Sequence, residues 1–362
     1  MRTTTLLLLS IITLHITSCK KKESLLETYD RGTLLNNIAN NVISPSYLKF
    51  KNEADSLVKI SEGFDSTTTL QNLSLMRNQW KEALAAWMNC EVYDIEVAYA
   101  LNTQIAAFPV SIQSIETEIQ GTHNIDINYV AATGTTRKGF GAIEYLLYGS
   151  SKTEQQIIDE FSQNPRRKIY LLSLAKHVAS VANQLENEWK NGNPSHSHFI
   201  SQTQMDISGS LNMVINVFVA HIEEVRRSKI GKPCGIEATS VADYSKLENP
   251  FAPHSIENIK SNIASWKMLF TGAFGIGIDD YSDAVNATYN NEKLSTVILR
   301  QMALCEMKAN AISGGSLENA AINQPAQVKE LHLELKKLTV LTKVDLSSSL
   351  GVVITFSDND GD

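Results

Sequence analysis

Residues 137–149 read RKGFGAIEYLLYG, and this stretch predicts a helix that packs into the interior of a helical protein. Ile143, Leu146 and Leu147 recur at the spacing of a single helical face. Gly149 follows at the position where a helix commonly ends, because glycine adopts the left-handed backbone of a C-cap without strain. The pattern therefore indicates one short apolar helix that closes at Gly149.

The other face of this predicted helix carries a carboxylate. Gly141, Glu144 and Tyr148 follow one another at i, i+3 and i+7, and Arg137 precedes them by about one turn. We expect Gly141 to leave open space beside Glu144, because glycine has no side chain. Two interpretations of Glu144 follow: it is a functional group, or it is a structural carboxylate paired with Arg137 or hydrogen bonded by Tyr148.

The same periodicity predicts an all-α fold for the rest of the chain. Long amphipathic helices joined by short polar turns bury their apolar faces against one another, so we expect two helical-bundle lobes of about four helices each. Residues 352–355 (VVIT) form the one convincing β-like run. Helical periodicity covers residues 33–61, 68–92, 153–190, 200–229, 255–272, 293–313 and 326–343.

Changes in composition place the predicted domain boundaries. Residues 231–249 contain proline and glycine and lack clear periodicity, so we expect the connection between the two lobes there. In chain order, the predicted divisions are a lipoprotein signal peptide at 1–18, a polar tether at 19–32, an N-terminal lobe at 33–230, the connection at 231–249, a C-terminal lobe at 250–345 and a polar tail at 346–362.

The first residues resemble a bacterial lipoprotein signal. Arg2 supplies a positive charge, and residues 6–14 are mostly apolar but too few to span a bilayer. Residues 16–19 (ITSC) have the form of a lipobox, which predicts lipid attachment to Cys19 as the membrane anchor. The lysines at 20–22 would contact anionic headgroups. The predicted location is the cell envelope, on the periplasmic side of the outer membrane, because no acidic export tag follows Cys19.

Charge and cysteine content exclude other classes of partner and site. The formal net charge of −7 argues against nucleic acid as a partner. Cys90, Cys234 and Cys305 are widely spaced, so a zinc site built on them is not expected. One disulfide with a spare thiol is allowed in an oxidising compartment, but buried free thiols are the simpler expectation for Cys90 and Cys305.

The stretch at 137–149 resembles the signature of the imelysin family, also called peptidase family M75. That signature is Gly-x-His-x-x-Glu followed by an apolar helix; Gly139 and Glu144 match it, and Gly141 stands where the histidine is expected. The resemblance implies two four-helix-bundle lobes. It also implies a metal or functional site, since His and Glu at i and i+3 reach one ion. Without the imidazole, Glu144 is a weak candidate metal ligand.

Further segments resemble the same family in the same order. Glu91 stands where the family's early helix carries a glutamate, whereas Leu84 replaces a usual arginine. Residues 108–110 resemble the family's Trp-Pro turn, 229–236 its interdomain Lys-x-Gly-x-Pro-x-Gly segment, and 248–255 the start of its second lobe. We expect Glu91 or another lobe to complete any ligand sphere around Glu144.

These features lead to one main functional hypothesis and two alternatives. The main hypothesis is a non-enzymatic lipoprotein held at the cell envelope, for which the resemblance implies a binding or accessory part in iron or other metal uptake. The cofactor that this hypothesis allows is a divalent metal or iron. The expected functional surface lies near Glu144, Gly141 and Glu91. The first alternative is an M75-type metallopeptidase, although HExxH is absent. The second is a structural protein-interaction module that partners an envelope transport protein.

Overall fold

A computed structural model describes residues 25–237 and 241–356, and it confirms the all-α prediction. The strands of the described part are β1 (Thr288–Tyr289) and β2 (Glu292–Lys293), which form one antiparallel hairpin. Its helices are α1 (Leu25–Thr28), α2 (Arg31–Asn37), α3 (Ser44–Ser66), α4 (Leu70–Met88), α5 (Val97–Ile105), α6 (Ile112–Gln120), α7 (Ile127–Ala132), α8 (Gly139–Tyr148), α9 (Glu154–Gln163), α10 (Pro165–Glu188), α11 (Pro194–Ser201), α12 (Ser210–Glu224), α13 (Ser255–Thr271), α14 (Ile278–Ala284), α15 (Leu294–Asn310), α16 (Leu317–Asn323), α17 (Pro325–Val340) and α18 (Ser347–Ser349).

Several of these helices are extended by turns of other types. The π-helical segment Ile38–Ile43 joins α2 to α3, Val225–Gly231 continues α12, and Leu341–Leu346 joins α17 to α18. Short 3₁₀ turns occupy Thr135–Arg137 and Tyr244–Lys246. A π-helical turn interrupts the regular α-helical register, and such turns are frequent near functional sites.

The long helices pack in two sets. In the first set, α3 packs against α4 and α10, and α10 also contacts α8. In the second set, α15 packs between α13 and α17, and α12 packs against α17. Helix α4 contacts α13 and so joins the two sets. The interior is continuous and contains all four tryptophans, Trp80, Trp87, Trp189 and Trp266, each no more than 2% exposed.

Helix α12 packs against a helix of the second set. Its residues fall within the predicted N-terminal lobe, 33–230, yet it packs against α17 of the second set. The reason is its apolar face, on which the ring of Phe218 stacks with that of Phe270 of α13 at a centroid distance of 6.2 Å. The predicted division into two lobes stays a prediction.

Residues 25–32 are the part of the predicted tether at 19–32 that the structure describes, and they contact the helical body. The ring of Tyr29 lies 4.3 Å from that of Tyr281 in α14, and Arg31 Nε donates a hydrogen bond of 2.7 Å to the carbonyl of Thr203. Residues 25–32 are therefore docked on the helical body. The predicted signal peptide and the lipid attachment at Cys19 lie outside the described residues.

The predicted β-like run near the C-terminus is extended, but it does not join a sheet. Its backbone bonds to asparagine side chains of α12: Val353 N–H donates to Asn212 Oδ1 at 3.0 Å, and Thr355 N–H donates to Asn216 Oδ1 at 2.7 Å. Asn216 Nδ2 returns a bond of 2.9 Å to the carbonyl of Val353. We call residues 352–356 the C-terminal strap. The predicted polar tail at 346–362 is thus docked up to residue 356.

The predicted helix at 153–190 is two helices, α9 and α10. Asn164 is extended and its side chain accepts a 3.0 Å bond from Arg166 N–H, so it caps the helix that Pro165 begins. The residue before a proline avoids the α-helical region, which explains the break.

The structure also bears on the state of the cysteines and on membrane-spanning helices. Cys90 and Cys305 are buried free thiols as predicted, and Cys234 is a partly buried free thiol. Among residues 25–237 and 241–356, no helix combines the length and apolar character needed to cross a bilayer.

Candidate functional site

Helix α8, which carries the motif, is buried along nearly its whole length. Residues 139–147 are all buried, and Glu144 is 0% exposed. The helix ends as predicted: Gly149 has a φ of +65°, and its N–H donates to the carbonyl of Tyr145 at 2.8 Å. A carboxylate in such a place needs internal hydrogen-bond donors, because water does not reach it.

The carboxyl group of Glu144 binds the backbone that precedes α13. Oε1 accepts hydrogen bonds from the N–H groups of Phe251, at 2.9 Å, and Ala252, at 2.7 Å. Oε2 accepts a bond of 3.1 Å from Asn249 Nδ2. We call Glu144 with these three partners the Glu144 clamp. It joins a helix of the first set to the segment that leads into the second set.

In the Glu144 clamp, burial and hydrogen bonding shift the pKa of Glu144 in opposite directions. Burial raises the pKa of Glu144 to about 8, and the nearby charge of Glu248 acts in the same direction. The donors from Ala252, Asn249 and Phe251 act in the opposite direction, since they stabilise the charged form. Three N–H donors occupy most of the acceptor directions of a carboxylate, so few remain for another ligand.

The expected open space at Gly141 is filled. A Cβ atom at this position would lie 2.6 Å from Val110 Cγ1 and 2.9 Å from Phe108 Cε1. These side chains flank Pro109, in the turn at residues 108–110 that resembles the Trp-Pro turn of the imelysin family. An imidazole at position 141 would therefore require both neighbours to move.

Gly139 is required by the backbone. Its φ is +74°, and a Cβ atom there would lie 2.1 Å from the carbonyl oxygen of Ile105. Since no L side chain fits so close to a carbonyl group, glycine alone lets the start of α8 approach the end of α5.

Arg137 and Tyr148 bind elsewhere, which corrects the structural interpretation of Glu144. Arg137 Nη1 pairs with Glu118. The ring of Tyr148 lies under the guanidinium group of Arg77, 4.6 Å from Cζ to centroid, and packs edge-on against Trp80 at 5.6 Å. Neither residue supplies the hydrogen bonds that hold Glu144.

Glu91 lies in a second buried cluster. Glu91 Oε2 is 2.6 Å from Lys229 Nζ, 3.2 Å from His221 Nε2 and 3.1 Å from Asn262 Nδ2. Lys229 Nζ also lies 2.7 Å from Glu248 Oε1, so one ammonium group serves two carboxylates. Lys229 reaches this position from the π-helical segment Val225–Gly231.

Charge pairing sets the protonation states of this cluster. Burial opposes the charged form of Glu91, but the charge of Lys229 and the hydrogen bond from His221 lower its pKa well below the ordinary value. Burial also opposes the charge on Lys229, and the two carboxylates nevertheless raise its pKa above the ordinary value. The pKa of Glu248 is raised, chiefly by burial and further by the charge of Glu91.

The tautomer of His221 follows from its two partners. Trp266 Nε1 lies 2.9 Å from His221 Nδ1, and an indole N–H can only donate. Nδ1 is therefore the acceptor, and Nε2 carries the proton that faces Glu91. The tryptophan thus orients the imidazole toward the carboxylate.

One hydrogen-bonded chain connects the two clusters. Asn258 Nδ2 donates to Glu248 Oε2 at 3.1 Å and also to Asn249 Oδ1, and Asn249 Nδ2 donates to Glu144. Glu144 and Glu91 therefore stand at opposite ends of a continuous buried network. We call it the seam network, and its members are Glu144, Asn249, Asn258, Glu248, Lys229, Glu91, His221, Trp266 and Asn262.

Sequence reasoning identified Glu91 and Glu144 but missed the residues between them. Lys229 and Glu248 lie in segments that resemble the family, so they were candidates without an assigned role. Asn258 and Asn262 are four residues apart on α13, and both are 0% exposed. Amides at i and i+4 on the apolar face of a helix were the available signal, since buried amides require partners.

The predicted metal site is not formed by these side chains. Among the described residues, no group of three or more His, Cys, Asp or Glu side chains is placed to hold a metal ion. Glu144 and Glu91 Oε2 each accept three hydrogen bonds, so donors stand where a cation would be bound. The donor set therefore does not fit a metal ion bound to Glu144.

Two pockets open at the ends of the seam network. The pocket beside Glu91 has a volume of about 260 Å³ and is also lined by Asp94, His221 and Glu224. The second pocket has a volume of about 510 Å³. Its lining includes Tyr148 and Phe251, and the latter belongs to the Glu144 clamp. We call it the Tyr148 pocket.

The fold and the site together define a helical-bundle protein whose motif helix is buried and bound to the segment between two helix sets. The chain belongs to the imelysin family, because the model of the family described as Peptidase_M75, Imelysin, matches residues 43–344.

Known relatives agree with this assignment. The chain is 22% identical over 261 residues to iron-regulated protein A of Synechococcus elongatus; the match covers 70% of this chain and 66%, just under two thirds, of the relative. An imelysin-like protein from Psychrobacter arcticum has a similar fold, with a TM-score of 0.73 and 18% identity over 89% of this chain and 96% of that one. A candidate iron-regulated protein A precursor from Parabacteroides distasonis has a TM-score of 0.70 and 16% identity, over 92% and 97%.

Proposed function

We propose that this protein is a non-enzymatic binding or accessory component of iron or other metal uptake, held at the cell envelope by a lipid on Cys19. Membership of the imelysin family and similarity to a protein named iron-regulated protein A support the iron-related role. The lipobox sequence at residues 16–19 supports the anchor. The accessory role means that the protein binds a ligand or a transport protein without chemical conversion.

The Glu144 clamp is the observation that carries this proposal. A metallopeptidase needs a metal ion with an open position for a water molecule and a base to activate it. Glu144 is the motif residue suited to this task, yet its oxygens accept N–H bonds from residues 249, 251 and 252. We infer that the motif helix stabilises the junction of the two helix sets.

The protein-interaction alternative has one observation in its favour. Phe108 and Val110 fill the position beside Glu144 that a histidine would occupy. A filled junction supports a rigid body that presents its outer surface to a partner. An accessory component that binds an envelope transport protein would combine this feature with the iron-related role.

Two measurements test the proposed function. In a strain that lacks the protein, the wild-type gene should restore iron accumulation under iron limitation, and a Cys19→Ala variant should restore less because it is not anchored. Purified Glu144→Gln should bind iron as the wild type does, with Glu330→Gln, an exposed surface change, as the control. A proteolytic activity that is lost in Glu144→Gln would establish the peptidase instead.

A further inference from the structure

We propose that the Tyr148 pocket binds a compact anion with several carboxylates, either free or as its iron(III) chelate. The inference deepens the proposed function, on which it rests, by naming a ligand class and a site for it. The pocket volume of about 510 Å³ lies within the range of small-molecule sites and exceeds what a single small oxyanion fills.

The pocket lies where the two helix sets meet. Arg77 reaches it from α4, and Tyr148 from the end of α8. Tyr244 and Phe251 also line the pocket, from the segment that leads to α13. A ligand bound here would touch both helix sets, next to the Glu144 clamp.

Arg77 supplies a guanidinium group that is largely shielded from water. Its Nε donates a 3.0 Å hydrogen bond to the carbonyl of Leu147, and its Nη1 pairs with Glu154. The Arg77 side chain is 15% exposed, whereas that of Glu154 is 64% exposed. An ion pair with so exposed a carboxylate is weak, so a ligand carboxylate can replace Glu154. The planar guanidinium group matches the geometry of a carboxylate.

Lys152 supplies a second cation on the same wall. Its ammonium group pairs with Glu160, and its side chain is 26% exposed. Arg167 also pairs with Glu160, at 3.2 Å, so Glu160 remains paired if Lys152 turns to a ligand. Glu318 lines the pocket as well and is the carboxylate that a ligand would have to avoid. Among the residues that line the pocket, two cations stand against the one carboxylate of Glu318, and an anion that displaces Glu154 from Arg77 and Glu160 from Lys152 would be bound by both cations.

The hydroxyl group of Tyr148 is an unsatisfied hydrogen-bonding group on a residue that lines the pocket. It is buried and has no hydrogen-bond partner among the described residues. Burial raises the pKa of Tyr148 to about 12, so the hydroxyl remains a donor at neutral pH. An unsatisfied buried donor is costly, and a ligand carboxylate oxygen would satisfy it. Hydroxyl groups of Ser150, Ser151 and Tyr244 line the remaining wall and can donate to further oxygens.

Calorimetric titration of the mature, detergent-solubilised lipoprotein tests this assignment. The probes are citrate, iron(III) citrate and inorganic phosphate. We expect citrate or its chelate to bind and phosphate to bind at least about tenfold more weakly. Tyr148→Phe should lower the affinity about tenfold, because it removes one hydrogen bond to a charged group. Its melting temperature should not fall, because that hydroxyl makes no bond within the described structure.

Matched variants make the result specific to the pocket. Arg77→Gln should reduce binding further than Tyr148→Phe does. Tyr99→Phe is the control, since Tyr99 is 75% exposed and lines a different pocket. Tighter binding of iron(III) citrate than of citrate would identify the chelate as the ligand, and equal or tighter binding of free citrate would identify the carboxylate itself.

Other outcomes would overturn the inference. These are the absence of binding heat with both citrate probes, equal binding of phosphate, or wild-type affinity in both pocket variants. The proposed function is tested separately by iron accumulation in the complemented strain. Restored iron accumulation without citrate binding would reject the ligand assigned to the Tyr148 pocket and retain the proposed function. Citrate binding without restored iron accumulation would retain the ligand assignment and reject the proposed function.

Discussion

The ammonium group of Lys229 lies 2.6 Å from Glu91 Oε2, and both side chains are more than 80% buried. The same ammonium group contacts Glu248, so it compensates two carboxylates inside the protein. Removal of one partner from a buried ion pair is costly because the remaining charge is left without compensation. The seam network should therefore be most sensitive at its single cation.

Lys229→Met should lower the free energy of unfolding by about 3–5 kcal/mol, because Glu91 and Glu248 would lose their counter-ion. Urea denaturation at neutral pH measures this effect. Lys260→Met on α13 is the matched control: its ion pair with Glu257 is on the surface, so the expected loss is below about 1 kcal/mol. A similar small loss for both variants would contradict the role of Lys229.

Glu144 predicts how stability depends on pH. Its pKa is raised from 4.5 to about 8 in the folded protein, chiefly by burial. Between these values the folded state binds more protons than the unfolded state, so the free energy of unfolding falls as pH rises. The stabilisation that comes from the protonated Glu144 is fully present below the pKa of the unfolded state, 4.5, and it is lost as pH rises through the pKa of the folded state, about 8.

Glu144→Gln should remove that pH dependence, because the amide does not ionise. We expect the wild type to lose stability relative to Glu144→Gln between about pH 5 and about pH 8 in urea titrations. Glu330→Gln, at a side chain 55% exposed, should keep the wild-type slope. Parallel pH profiles for the wild type and Glu144→Gln would show that Glu144 is already ionised in the fold.

Gly141→Ala should destabilise the protein by about 1–3 kcal/mol, because the new methyl group would overlap Val110 and Phe108. Thermal unfolding measures the loss, and the additional change Val110→Ala should recover part of it. Gly63→Ala is the matched control: a Cβ atom there meets nothing within 4 Å in α3, so a gain of about 0.5–1 kcal/mol is expected. A neutral Gly141→Ala would show that the neighbours move freely.

Asn216→Ala should release the C-terminal strap, because Asn216 bonds the backbone of both Val353 and Thr355. Amide hydrogen exchange at Thr355 should accelerate by about tenfold or more, as expected for a locally opened segment. Asn36→Ala, which removes one exposed hydrogen bond within α2, should leave that rate unchanged. Unaltered exchange in both variants would mean that Asn212 alone holds the strap.

Periodicity in the sequence predicts the fold class because long amphipathic helices carry a strong signal. It predicts α4, α13, α15 and α17 within a few residues, and the predicted run at 33–61 covers most of α2, the π-helical segment Ile38–Ile43 and most of α3. It misses short helices such as α6 and α7, since two turns present too few apolar repeats to be distinguished from a loop. It also misreads residues 352–355, because alternating apolar residues fit both a sheet and an extended segment on a helix.

The candidate site could be predicted only in part. Local spacing identifies Glu144, but it offers as its structural partner Arg137, two helical turns earlier, or Tyr148, one turn later. The actual partner of Arg137 is Glu118, and Glu144 is bound by residues more than 100 positions later in the chain. Contacts at such separation depend on the packing of the two helix sets, which a single sequence does not encode as a local pattern.

Because Lys229 lies in the π-helical segment Val225–Gly231, its position depends on the number of residues in that segment as well as on residue type. Each residue added to or removed from a helix rotates every following side chain by about 100°. Loss of Ser228 alone would turn the lysine away from Glu91 while every charged residue of the protein was retained. In related chains, an insertion or deletion within this segment would therefore indicate altered buried ion pairs more reliably than a substitution elsewhere.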